Sequence, residues 1–188
     1  MGHYLKIDTR IEVIKDIISP FQIQLNKIME ICKKDGYWFW DTIYADDIEH
    51  HVGTVFIVLQ NYINSSISDL FPDLLELHTK YSIDKKVNNS ETTRIELIIT
   101  IANYYKHRDL PKELQKHTVK RLNDLKIEFK EIFEDGSFFH KVGSSSPVFE
   151  GFSLLSESWK FNDLINIVSE WRENLWLNAE EETIRISS

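Results

Sequence analysis

The sequence predicts an all-α protein, an up-and-down bundle of four main helices closed by a further helix at the C-terminal end. Apolar residues recur at three- and four-residue intervals through most long segments, and sustained alternation with period two is rare. No break in composition, internal repeat or low-complexity tract divides the 188 residues, so a single helical domain over 1–188 is expected. A hydrophobic content of 42% is enough to build one sizeable core.

The first helix is expected over 10–34, with Ile11, Ile14, Ile18, Phe21, Leu25, Ile28 and Cys32 as its inner stripe and Pro20 bending or dividing it. Gly36 stops it. The second is expected over 45–70, where Asp46 and Asp47 suit the positive end of the helix. Its centre, Val55-Phe56-Ile57-Val58-Leu59, is apolar all round and must be covered on several faces. A short helical piece over 73–81 precedes a polar loop near 84–90. Ser90 is the expected N-cap of a third main helix over 91–107. Pro111 opens a fourth, expected to end at Asp135-Gly136, with Leu114, Val119, Leu122, Leu125, Phe129 and Ile132 inward. A mobile loop near 141–149, a last amphipathic helix over 156–178 and a flexible tail after 178 complete the chain. Trp171 and Trp176 of the last helix are expected in the core.

A net charge of -8 and a pI near 5.4 repel nucleic acid unless a basic patch intervenes, and suit a basic protein partner. The one cysteine, Cys32, excludes an internal disulfide framework and a multi-cysteine metal site, and fits a reducing, cytoplasmic setting. No run of residues approaches a membrane span and the start lacks the apolar core of a signal peptide, so no membrane partner is expected.

Chemistry is concentrated at the end of the third main helix. Glu96, Thr100, Asn103 and His107 fall at i, i+4, i+7 and i+11 and form a polar line beside Ile95, Ile98, Ile99 and Ala102. Facing inward, this line would be a functional groove; facing water, it is the ordinary outer face of an amphipathic helix. Lys106, His107 and Arg108 also suit the negative C-terminal end of the helix with no function attached. In the functional reading His107 donates or accepts a proton, Arg108 or Lys106 neutralises a phosphate, and Asn103 and Tyr104 orient it. Such a group would suit phosphodiester cleavage by a 2'-hydroxyl without metal.

The motif Asn103-Tyr104-Tyr105-Lys106-His107-Arg108-Asp109, on a late helix of an all-α chain, resembles the HEPN-like proteins of prokaryotic toxin–antitoxin and abortive-infection systems. The resemblance covers residues 10–135 by helix order. It implies a dimeric, metal-independent ribonuclease or a non-catalytic relative, with His107 and Asn103 in the family's roles. The active pattern sets an arginine five to seven residues before the histidine, where this chain has Ala102, Ile101 and Thr100. No residue inherits that role, and a charge from Arg108 would reach the site from the other side.

Other constellations carry less. Asp46 with His50 and Asp47 with His51 have the spacing of paired metal ligands, but also of plain helix-surface contacts, and no third ligand is evident. Neither a metal nor a cofactor is expected. Glu113 and His117 form another such pair. Gly-rich phosphate loops, nucleophile elbows and H-E-x-x-H sites are missing from the sequence. Tyr37-Trp38-Phe39-Trp40 could seat bases or a protein partner through Trp38 and Trp40, or plug one end of the bundle. Two functions follow. One is a HEPN-like defence or toxin–antitoxin protein with RNA or a second copy as partner. The other is an immunity protein or antitoxin that neutralises a basic toxin.

Overall fold

A computed structural model describes residues 6–36, 44–110 and 114–187. The all-α expectation holds: α1 (Arg10–Asp35), α2 (Ala45–Leu70), α3 (His78–Tyr81), α4 (Arg94–His107), α5 (Lys116–Asp124), α6 (Pro147–Leu155) and α7 (Phe161–Ser187) carry the fold, with one two-stranded hairpin, β1 (Lys130–Ile132) and β2 (Phe138–His140). The strands pair antiparallel, Glu131 opposite Phe139.

The all-round apolar α2 takes the central place its composition demands. It packs against α1, α4, α6 and α7, and Val52, Val55, Phe56, Leu59 and Ile63 are fully buried. α1 runs unbroken through Pro20. The proline leaves the Asp16 carbonyl without its helical donor, and the Ser19 hydroxyl donates to it instead at 3.4 Å. Trp171 and Trp176 are core residues as expected, and the Trp171 indole donates to the Lys80 carbonyl at 3.2 Å.

Boundaries shift where local hydrogen bonding outbids periodicity. α4 starts at Arg94, capped by Thr93 rather than Ser90. Glu96 N donates to Thr93 Oγ1 at 3.2 Å and Thr93 N donates to Glu96 Oε2 at 2.9 Å, a reciprocal capping box that Ser90 cannot form. Ser90 instead closes a turn onto the Val87 carbonyl.

The fourth helix is much shorter than expected. Lys126 adopts φ +60°, its N–H donates to the Asn123 carbonyl, and the Ile127 N–H reaches back to Leu122. Those two bonds are a Schellman stop, with Leu122 and Ile127 both buried as its apolar contact. The chain then extends into the hairpin, so Phe129 is buried as expected but Ile132 is exposed. Pro111 lies outside the described residues.

The expected mobile loop at 141–149 is structured. Gly143–Ser145 form a turn of 3-10 helix, Ser146 caps α6 by accepting from Val148 N at 3.2 Å, and Pro147 takes the first helical turn. The last helix begins later, at Phe161, after Trp159 at φ +56°, and continues past 178 to Ser187. The loop near 84–90 is tied down by Arg94, whose Nη2 donates to Asp84 Oδ1 at 2.5 Å, and by a bridge between Lys86 and Thr93.

Candidate functional site at the end of α4

The motif at the end of α4 lies along the seam with α2, and the two helices run antiparallel. Near the start of α2, Glu49 meets Arg108 at the end of α4; further along, Gln60 Nε2 donates to Asn103 Oδ1 at 3.0 Å. Between them Gly53 lets the backbones close, since a Cβ there would run into the ring of Tyr105. The Tyr105 hydroxyl bonds His50 Nδ1 at 2.8 Å.

Arg108 is 7% exposed and Glu49 is 1% exposed, and the guanidinium Nη1 contacts Glu49 Oε1. Two further donors satisfy the carboxylate: Gly143 N–H at 2.6 Å to Oε2, and the Ser146 hydroxyl to Oε1. Gly143 has φ +62°, and a Cβ on it would lie 2.5 Å from Asp46 Oδ1, so glycine is required there twice over. The Arg108 guanidinium also lies 4.8 Å from the centroid of the Tyr105 ring. From the hairpin, His140 Nδ1 contacts the Arg108 carbonyl at 2.8 Å, and the fully buried Tyr104 donates its hydroxyl to the Lys141 carbonyl. Burial pushes the Tyr104 phenol well above its usual range.

The predicted site residues on α4 and its C-terminal turn each have a place. Arg108, Asn103 and Tyr104 are fixed in the seam. Thr100 is fully buried and its hydroxyl donates to the Glu96 carbonyl at 2.7 Å within its own helix. Glu96 caps α4 and accepts from Arg121 Nη2 at 2.8 Å. Lys106 and His107 are the two side chains of the motif with no polar partner among the described residues. Lys106 is exposed, yet desolvation near its ammonium holds it below the ordinary lysine range. His107 is half-buried. Trp38, Trp40 and Glu113 lie outside the described residues.

The polar line of α4 therefore splits. Thr100 points into the helix packing and His107 ends at the C-terminal turn. Asn103 lines a cleft of about 460 Å³ with Gln60, Tyr81, His78, His117 and Arg121, and Glu96 holds Arg121 at its edge. Sequence reasoning missed Gln60, Arg121 and the seam role of Glu49. One signal was present: a glycine inside an apolar helical run, Gly53, marks close backbone approach. The long-range partners Gly143, Ser146 and His140 had no signal.

Among the described residues no cluster of three or more His, Cys, Asp or Glu gathers as metal ligands. His50 faces Tyr105, and His51 Nδ1 contacts the Asp47 carbonyl at 2.6 Å. Among the same residues no helix is long and apolar enough to cross a membrane. Comparison with protein-family models, curated proteins and solved structures returns no match.

Proposed function

We propose that this protein is a HEPN-like member of a prokaryotic defence or toxin–antitoxin system that works by binding a basic protein partner rather than by cleaving RNA. The observation that carries this reading is the burial of Arg108 against Glu49. Arg108, next to His107 in the chain, is paired with a carboxylate and removed from water, so it is not available to neutralise a phosphate. Asn103, the second expected catalytic group, has its side-chain carbonyl engaged by Gln60.

A binding surface is offered by the hairpin. Phe133 and Phe139 are 50% and 43% exposed with ring centroids 5.5 Å apart, and Ile132, opposite Phe138 on the other face of the hairpin, is exposed as well. Glu131, directly opposite Phe139, and Glu134 and Asp135 in the hairpin turn are exposed, whereas Lys141 is paired with Glu128 at 2.6 Å. Exposed aromatic anchors next to acidic residues suit a partner with an apolar patch flanked by lysine or arginine. The test is co-expression with the product of the adjacent gene. A complex should form whose association slows roughly tenfold between low and high salt, and Phe133→Ser with Phe139→Ser should abolish it. No complex, or one indifferent to both salt and the hairpin, would overturn this reading.

The ribonuclease reading keeps one specific support: Lys106 and His107 are the motif side chains that the fold leaves unused. If they act, Lys106 supplies the cation and His107 the proton transfer. Metal-free cleavage of single-stranded RNA, lost in His107→Ala with an unchanged circular dichroism spectrum, would establish it in place of the binding reading.

A further inference from the structure

We infer that the cleft between α2, α4, α5 and the segment leading into α3 is a binding site for a small organic oxyanion, a carboxylate or a phosphate monoester. It is separate from the hairpin and from the Lys106–His107 end of α4, and does not depend on how those act.

The cleft has the volume of a small-molecule site, about 460 Å³, and its lining combines an apolar wall with converging polar groups. Leu77, Ile99 and Tyr81 form the wall, and Leu75, 96% exposed, stands at the mouth. At the floor Gln60, 6% exposed, donates one N–H to Asn103 Oδ1. That bond leaves the Gln60 carbonyl and the Asn103 amino group without partners among the described residues, an acceptor and a donor side by side.

Three basic groups crowd the rest of the lining. Arg121 spends one N–H on Glu96 and keeps the others of its fork. His117 stands close enough to Arg121 and His78 that both, after burial itself, hold its imidazole below the usual histidine range. Such mutual repulsion disappears when an anion sits among the three. Facing them are two carboxylates, Glu76, 3.7 Å from His78, and Glu96. Gln60 is the α2 residue lining the cleft and is uncharged, and the Tyr81 hydroxyl is turned to Asn64 at 2.7 Å. Arg121 and a protonated His117 together match the two carboxylates, whereas a neutral His117 leaves the carboxylates in excess. Oxyanion affinity should therefore rise as pH falls from about 7 to 5, and the bound anion should raise the His117 pKa.

The experiment titrates the full chain with inorganic phosphate, with glycerol phosphate and with N-acetylleucine, following the His78 and His117 imidazoles and the Asn103 side-chain amide by NMR. Saturable shifts at these three residues with a phosphate probe assign that source, and with N-acetylleucine the carboxylate source. Binding should weaken roughly tenfold in Arg121→Gln and in His117→Gln. The second variant leaves the Glu96 contact of Arg121 intact, so it remains informative if Arg121→Gln folds poorly. No saturation by any probe up to about 30 mM, or affinities unchanged in His117→Gln and between pH 7 and 5, would overturn the inference.

Discussion

Arg108 shows how a residue that looks catalytic can be consumed by the fold. Its charge is opposed by Glu49, which in turn collects Gly143 N–H and the Ser146 hydroxyl. Removing one member strands the others. Arg108→Ala should cost about 3–5 kcal/mol in urea unfolding, the size expected when a buried charge loses its partner. A loss below about 1 kcal/mol would mean that the pair is solvated, as surface pairs are. His117 gives the pH dependence. Its pKa is lowered in the folded state, so the unfolded chain takes up its proton first as pH falls. The contribution is intact above the ordinary histidine pKa and is lost as pH falls below it. His117→Gln should flatten the decline in stability between about pH 7 and 5, read from unfolding midpoints across that range.

Among the elements, α2 and α4 were the most legible and the seam between them the least. The bounds of α2 follow from an all-round apolar centre, two aspartates at its start and Phe71-Pro72 at its end. Periodicity overran at α5, because the turn that ends it rests on a lysine in a left-handed conformation rather than on a glycine. It missed α6 because a glycine- and serine-rich stretch reads as loop, although Ser146-Pro147 is also a helix-start signal. Two substitutions probe the elements directly. Thr93→Ala removes half of the capping box and should destabilise the protein by about 1 kcal/mol. Gly53→Ala would gain helix propensity in isolation, yet the added methyl meets the Tyr105 ring, so a net loss of about 1–3 kcal/mol is expected. Adding Tyr105→Ala should recover part of that loss, and simple additivity in the double-mutant cycle would show that the two residues do not touch.

For the whole molecule, the sequence carried the class and the core because both are written in periodicity, which is local. The site was half legible: the Asn103–Asp109 stretch was singled out, but whether each side chain is taken up or available depends on distant partners, such as Glu49 for Arg108, and Glu49 in turn bonds Ser146, 97 residues away. That separation has a consequence for the order in which the protein is built. While the chain is being made, α2 and α4 are complete long before Gly143 and Ser146 emerge, so the Glu49 carboxylate waits without two of its donors and the Arg108 carbonyl without His140. Nascent chains halted soon after α5 should leave the α2–α4 seam open to protease, and the seam should close only once the start of α6 has been synthesised. Chain growth, rather than any ligand, then sets the moment at which the motif of α4 reaches its final form.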